Sequence, residues 1–578
     1  MSKVFEYMKP YTLFLIIAVG LLAVEANLAL ILPGYMADII NDGVLPGMIP
    51  VIWQNGLRMI AITLISVICA LTMAYFAARI ATGVANDLRA AVFKKVVRFS
   101  NAELNRFSTS SLITRTTNDI TQIQTTLMMS LRLLIYAPIL GVGGIIRAME
   151  RDVSMSWIVA IATVTMVGLM TLIFFIALPK FRIVQSLIDR LNLVSRENLS
   201  GILIVRAFST QTFEKKRFDK ANRDLADTNL FVEQVFAFMM PIIMLIMNVT
   251  TAVIVFVGAQ QASAFRVDVG DIFAFLQYGM LVIFAFLMVA MMFVLLPRAV
   301  VSARRVQEVL TTESSLKYKE NAIRLKDFSG MVEFRDVSFK YPDAEEDDDN
   351  VLSRVSFTAR PGETTAFIGS TGSGKTTIFK LLLRFYDVTG GGIFFDGINV
   401  KDIHKESLHS QIGYVPQKAS LFSGSIRSNL LYADRDATEE RLSYAAEVAQ
   451  AADFIGEKPD GYESNVAQGG SNFSGGQRQR LSIARALVKR AQVYLFDDSF
   501  SALDLKTDAL LRAALRKRTA NATKLVIAQR VSSIMDAEQI IVLDHGEVVG
   551  IGRHFELLNS CEIYREIAAS QLSEEELA

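Results

Sequence analysis

Two patterns of apolar residues divide this chain. Over the first half, apolar positions run in long blocks with few charges, at roughly 12–33, 57–79, 128–149, 154–178, 236–258 and 272–296. About 20 apolar residues cross ~30 Å of hydrocarbon as a helix, so these blocks predict six membrane spans. From residue 331 the blocks give way to short alternating runs such as MVEFRDVSF and TTAFIG, set between polar helical stretches. That is the pattern of an α/β domain. The predicted fold is a membrane α-helical bundle over residues 1–310, a charged linker over 311–330 and an α/β domain over 331–578.

The polar stretches between spans add a second expectation. Arg79 to Leu127 and Lys180 to Glu233 each join consecutive spans with about 50 residues, where an ordinary helix hairpin uses about 2 to 8. Runs such as NDLRAAVFKKVVRF and DRLNLVSRENLSGILIVRAF keep apolar residues at helical spacing. Each span is therefore predicted to continue as a helix beyond the bilayer, turn near NAELNRFSTSS or VRAFSTQTFEKK, and come back. Some 22 residues at 1.5 Å each carry the turn about 33 Å out. Such turns either press on something below or cap a tall inert bundle.

Charge sets the orientation. The segment between spans two and three carries Arg89, Lys94, Lys95, Arg98, Arg106 and Arg115, while Gly34 to Gly56 has no Lys or Arg, so both termini are predicted to be cytoplasmic. The first span is long for a signal peptide and matches the other five, so it is read as retained. Trp53 and Trp157 fall near span ends. This is a multi-pass protein of the cytoplasmic membrane, with the lipid bilayer as its first partner. Net charge is +1, from 59 Lys+Arg against 58 Asp+Glu, which offers no attraction to nucleic acid. Cys69 and Cys561 have no metal or disulfide spacing and read as plain thiols. The 22 methionines are mostly packing, with some available to line an adaptable pocket. Glu25 and Asn27 lie inside the first span. An intramembrane acid is costly, so Glu25 is either a contact for a cationic or amphipathic substrate or a hydrogen-bond partner of another span.

Candidate chemistry lies in the second half. GSTGSGKTTIFK follows the strand TTAFIG and opens a helix, the context in which GxxxxGK[ST] is a phosphate loop. Gly369, Ser370, Thr371, Gly372, Ser373 and Gly374 curl backbone N–H groups around phosphates. Lys375 reaches the outer phosphates, Thr376 offers a hydroxyl to magnesium, and Thr377 continues the turn. Later, VYLFDD reads as a buried strand ending on two acids, Asp497 and Asp498. The acidic run DAEEDDDN before Val351 reads as a solvated hairpin, or else a calcium site.

Together with IGYVPQ ending at Gln417, NFSGGQRQRLSIARALV from Asn472 and SALD from Ser501, these motifs stand in the order seen in ATP-binding cassette proteins. Six spans followed by one cassette resemble a half-transporter of the ABC exporter type, as in bacterial multidrug and lipid exporters. The resemblance covers nearly the whole chain, more specifically in the cassette than in the spans. It implies ATP and Mg²⁺ as cofactors, a second half-transporter as partner, and hydrophobic or amphipathic cargo. It makes the two cytoplasmic turns coupling elements on the cassettes. It matches Tyr341 to the aromatic that stacks on adenine, Gln417 to the glutamine that touches magnesium and water, and Asp497 to the magnesium carboxylate. Ser474, Gly475, Gly476 and Gln477 match the signature that faces the partner's phosphate loop, and Asp504 closes the loop after the acids.

Four positions depart from that pattern. Phe473 replaces a leucine before the signature serine, and Gln468 stands where an acid is common. Asp498 stands where the family has the glutamate that orients the attacking water, and Gln529 where it has histidine. One methylene fewer withdraws the Asp498 carboxylate by about 1.5 Å, and misplacing a catalytic group by about 1 Å can cost ~10²-fold. Glutamine carries no titratable proton. The expectation is a heterodimer in which this chain's own phosphate loop forms the weakly hydrolytic ATP site, while its signature completes the active site of the partner. Lipid or peptide export, a slow homodimer and a regulatory subunit gating a channel stay open as alternatives.

Overall fold

The computed structural model describes residues 2–319, 321–345 and 349–573. The centre of the acidic run, and with it the calcium reading, lies outside the described residues. The chain separates into two compact units, one of Met1–Val97 with Ser110–Thr312, the other of Arg98–Thr109 with Glu313–Ala578.

The first unit is built on six long helices. They are α1 (Thr12–Asp38), α2 (Ile49–Val96), α4 (Ile120–Arg151), α5 (Val153–Ser200), α7 (Gln211–Ser263) and α8 (Val269–Thr311); α3 (Asn101–Phe107) and α6 (Ile202–Ala207) are short helices at the two turns. Each long helix contains one of the six apolar blocks, and six helices are long and apolar enough to cross a membrane. The 48 residues of α2 and of α5 and the 53 of α7 rise well past the ~30 Å of a bilayer core. Pro33, Pro138, Pro179, Pro241 and Pro297 sit inside these helices, a placement tolerated in spans where neighbouring helices re-satisfy the freed backbone.

Packing between the spans is local. Phe275, Tyr278 and Val282 of α8 pack with Ala37, Ala148, Met155 and Ile254 in one buried cluster, and the Tyr278 hydroxyl donates to Leu30 O at 3.2 Å. Elsewhere large apolar side chains such as Leu71 and Val164 are exposed, as lipid-facing positions require. At the turn between α5 and α7, α6 has no buried residue, and Leu203 is 77% exposed.

The second unit holds two sheets. Strands β1 (Val332–Phe339), β2 (Leu352–Ala359), β4 (Gly390–Phe395) and β5 (Ile398–Asn399) form an antiparallel sheet in the order β2-β1-β4-β5. Strands β3 (Thr364–Gly369), β6 (Ile412–Val415), β7 (Val493–Asp497), β8 (Thr523–Ile527), β9 (Gln539–Asp544) and β10 (Glu547–Gly552) form the other in the order β10-β9-β3-β8-β7-β6. All of its pairs are parallel except β9–β10. Every residue of β7 and β8 is buried, because both faces of a parallel sheet are covered. Apolar burial on both faces explains VYLF; Asp497 comes where the strand runs out into the crevice beyond the carboxyl ends.

The turn between α2 and α4 is part of this second unit, a feature that the linear division drawn from the sequence does not contain. Ser100 and Glu103 form a capping box at the start of α3, and the Glu103 carboxylate also accepts from Ser315 N at 3.0 Å. Burial raises the pKa of this acid, but the hydrogen bonds from Ser100 and Ser315 outweigh it and hold the carboxyl below its ordinary range. Asn105 Nδ2 donates to the Tyr386 hydroxyl at 3.2 Å.

Candidate functional site

Three adjacent parallel strands deliver the candidate residues to one place. The phosphate loop follows β3, the acid pair ends β7, and Gln529 follows β8. They line a cavity of ≈ 830 Å³ with Gln417, Val351 and Asp544.

The loop backbone admits only glycine at its two ends. At Gly369, φ is +154° and a Cβ would stand 1.9 Å from Leu543 O; at Gly374, φ is +94° and a Cβ would meet Leu352 Cδ2 at 2.6 Å. Gly374 is the N-cap of α9 (Lys375–Leu382), so the helix opens with unpaired N–H groups facing the cavity. Lys375 Nζ donates to Gly369 O at 2.8 Å, to Ser370 O at 2.6 Å and to Ser373 Oγ at 3.2 Å. Burial lowers the pKa of this ammonium, against the opposing pull of Asp498 and Asp497. A flexible cation lying over a ring of backbone donors is suited to a polyphosphate.

The two acids meet different surroundings. Burial pushes the Asp497 carboxyl up to about 6; a hydrogen bond from Thr376 Oγ1 at 3.2 Å works against the rise and the neighbouring Asp498 adds to it. Proton and divalent cation would compete for this oxygen. No group of three or more His, Cys, Asp or Glu side chains is placed to hold a metal ion among the described residues, so a cation here would take a carboxylate, a hydroxyl and an amide oxygen, from Asp497, Thr376 and Gln417. That sparse oxygen set is how Mg²⁺ is held when phosphates complete its shell. Asp498 has φ of +46°, its N–H donates to Ile527 O at 3.0 Å, and its Oδ2 accepts from two amides, Gln529 Nε2 at 2.7 Å and Gln417 Nε2 at 3.2 Å.

The remaining predicted residues lie elsewhere. Ser474 caps α10 (Gly475–Val488) in a reciprocal box with Gln477, at 3.2 and 3.1 Å, and none of Ser474, Gly475, Gly476 or Gln477 lines the cavity. Phe473 is buried in the core beside them, where its ring lies under Lys458 at 4.5 Å. Asp504 caps α11 (Leu505–Arg518) by accepting from Thr507 N at 2.9 Å, a bond that keeps its carboxyl below the usual range. Tyr341 does not line the cavity either. Its hydroxyl pairs with Thr377 Oγ1 at 3.0 Å, and its ring stands edge-on to Tyr386 at 5.2 Å. A chain of contacts therefore runs from Asn105 of α3 through Tyr386 and Tyr341 to the helix of the phosphate loop. In the other unit, Glu25 is buried and paired with Arg132 of α4 at 3.1 Å. Asn27 is exposed and bonds Ala23 O of its own helix, so the structure does not bring these two together.

Two participants are absent from the reading of the sequence. The segment α12 (Glu562–Ala569) lines the cavity through Ile563, Glu566 and Ile567, followed by Ser570 and Gln571. Gln571 Oε1 accepts from Val531 N at 2.8 Å and its Nε2 donates to Gln529 O at 2.9 Å, clamping the segment that carries Gln529. The other is Arg132, which sits inside an apolar block.

The geometry has counterparts among known proteins. The ABC transporter family model matches residues 352–501, and the model of the ABC transporter transmembrane region matches residues 14–287. An uncharacterized ABC transporter ATP-binding protein of Mycobacterium tuberculosis is 41% identical over 98% of this chain and 97% of its own length. An ATP-dependent lipid A-core flippase of Aromatoleum aromaticum is 31% identical over 87% of this chain and 82% of its own. The structure of a bacterial Atm1-family ABC exporter with ATP bound matches at a TM-score of 0.78 and 24% identity, covering 98% of this chain and 99% of that one, a likeness of fold.

Proposed function

The chain belongs to the ABC transporter family as a half-transporter of the exporter type, and from that premise we propose that it is the weakly hydrolytic subunit of a heterodimer. The proposal joins the export of hydrophobic or amphipathic compounds across the cytoplasmic membrane to ATP turnover at two unequal sites, with both termini cytoplasmic. The lipid A-core flippases among its relatives fit cargo of that kind.

The observation that carries this reading is the grip on Asp498. The oxygen that would take a proton from water already accepts from Gln529 and Gln417. Each bond must be shared or surrendered before that oxygen can act as a base, and the side chain is one methylene short of reaching forward. Gln529 is the nearer donor and has no proton to give away. The loop Gly369–Thr377, by contrast, keeps the glycines and the Lys375 ammonium that a triphosphate needs, with Lys375 available to the outer phosphates. Mg²⁺, when bound, supplies positive charge that polarises the phosphoryl oxygens; Thr376, Asp497 and Gln417 are the side chains that would hold it. Tight binding with slow cleavage makes this site a tether between cassettes. The signature, Ser474 to Gln477, is unaltered at the phosphate-facing positions and would serve the partner's loop.

The test is to purify the full chain alone and with its companion subunit, and to follow labelled ATP. The expected result is retention of unhydrolysed ATP by the lone chain and turnover only in the pair. Brisk phosphate release by the chain alone as a homodimer would overturn the reading.

A further inference from the structure

The acid inside the first span reads, on sequence grounds, as a contact for a cationic or amphipathic substrate or as a hydrogen-bond partner of another span; its surroundings fit the second and leave a guanidinium, not a carboxylate, turned outward. The Glu25 side chain is only 5% exposed, and its Oε2 has no hydrogen-bond partner among the described residues. Arg132, which donates to Glu25 Oε1 at 3.1 Å, keeps 44% of its side chain exposed. The pair is therefore a dipole with its negative end sealed in protein and its positive end turned outward. A cation cannot approach the carboxylate without displacing the guanidinium, whereas an anion meets the guanidinium directly. Arginine brings five N–H donors in a planar fork suited to phosphate or carboxylate, and only one of its contacts here is a hydrogen bond.

The depth of the pair matches an amphiphile. Two ion pairs tie α1 to α4: Arg151 with Asp38 at one end, and Arg132 with Glu25 further in. Thirteen residues separate Glu25 from Asp38, about 20 Å along the helix, inside a hydrocarbon core of ~30 Å. A half-exposed guanidinium at such a depth is expensive against lipid tails and is found facing water or a polar ligand. Its flanks are apolar and adaptable. Met128 and Met129 lie one turn away and are 45% and 46% exposed, and the guanidinium carbon stands 5.6 Å from the centre of the Tyr136 ring.

We infer that Arg132, oriented by its hydrogen bond to Glu25, is the contact for the anionic group of an amphiphilic substrate, a phosphate or carboxylate attached to an apolar body that packs on Met128 and Met129. This rests on the export reading above and names its substrate class. The test uses two fluorescent probes with the same alkyl chain, one an alkyl phosphate and one an alkyl trimethylammonium. Both are offered to the full chain with its companion subunit, in nanodiscs for equilibrium binding and in proteoliposomes for ATP-driven movement. The expected result is at least tenfold tighter binding of the phosphate probe, abolished in Arg132→Met and kept in Arg132→Lys. Glu25→Gln should keep or increase it, since the guanidinium loses its counter-ion. The double variant Glu25→Gln/Arg132→Met removes both charges, so no buried charge is left unpaired and loss of binding there cannot be a folding defect of that kind. Tighter binding of the ammonium probe that depends on Glu25, or equal binding of the two, would overturn the inference. Arg132-dependent binding without movement would leave the site standing and overturn the export reading; movement of both probes without regard to sign would do the reverse.

Discussion

The starts of α9 and α10 are made of the same materials and meet different surroundings. Both are glycine-rich turns that open a helix toward an anion, GSTGSGKT in one case and FSGGQ in the other. Around the first, the chain gathers its own acids, amides and C-terminal segment into a closed set of hydrogen bonds. Around the second it supplies the cap, Ser474 with Gln477, and leaves open space beside Gly475, with Ala502 O and Leu503 near Gly476. The difference teaches where to look for altered chemistry. On the proposed reading, the phosphate-loop site, around which the chain gathers most of its own side chains, is the one whose base is shortened and gripped, and the site to which it lends only the signature is the one left unaltered. On that reading the second site does the work.

The sharpest way to break that comparison is to spoil the half-built site. Gly475→Asp would add a carboxylate to the first turn of α10, where on the proposed reading the helix N–H groups would meet the phosphates held by the partner. Hydrolysis by the heterodimer should fall on the order of 10²-fold, the effect of losing a preorganised donor set at a developing negative charge. Steady-state phosphate release measures it. A variant that loses no more than twofold would mean that Ser474–Gln477 serves no hydrolytic site, and the comparison would fail.

A smaller effect comes from repairing the closed site. Asp498→Glu restores the missing methylene, but the longer carboxylate still meets the amides of Gln529 and Gln417. Asp498→Glu with Gln529→His removes the nearer amide donor as well. The double variant should turn over its bound ATP about tenfold faster than the natural chain, and the single variant should fall between them, because the two side chains share one hydrogen bond and do not act independently. Single-turnover release of labelled phosphate, with the partner's phosphate loop disabled, gives the number.

Much of this was legible in the sequence, and the rest was hidden for physical reasons. GSTGSGKT is readable because the constraint is local: Gly369 and Gly374 need positive φ within the very turn they belong to. The six apolar blocks are readable because crossing lipid demands continuous length. Arg132 was hidden by the same averaging that reveals spans, one of only two charges, with Arg147, in a window rich in Leu, Ile and Met between residues 128 and 149. Glu25 was visible, but the sign of its surroundings depended on which span it faced. The membership of residues 98–109 in the cassette unit was hidden as well, because Glu103 and Asn105 bond Ser315 and Tyr386, more than 200 residues away.

Gln571 belongs to that hidden class and gives the smallest and most specific test. The spacing of Ile563 and Ile567 announces a helix, yet nothing local says that the chain after it returns to the segment carrying Gln529. Its amide uses both ends, accepting from Val531 N and donating to Gln529 O, so the two possible substitutions separate its roles. Gln571→Ala removes both bonds, each worth about 1 kcal/mol net, and lets water reach the freed backbone. Gln571→Glu keeps the acceptor for Val531 N but turns a carboxylate oxygen toward the Gln529 carbonyl, where the donor had been. The alanine variant should shorten the lifetime of ATP retained at this chain's phosphate loop about threefold, and the glutamate variant should shorten it further. If α12 and the residues after it were mere filling, glutamate, which is nearly the same shape as glutamine, would be the milder change of the two; the order of the lifetimes therefore decides whether the closed site is held shut by its own C-terminal segment.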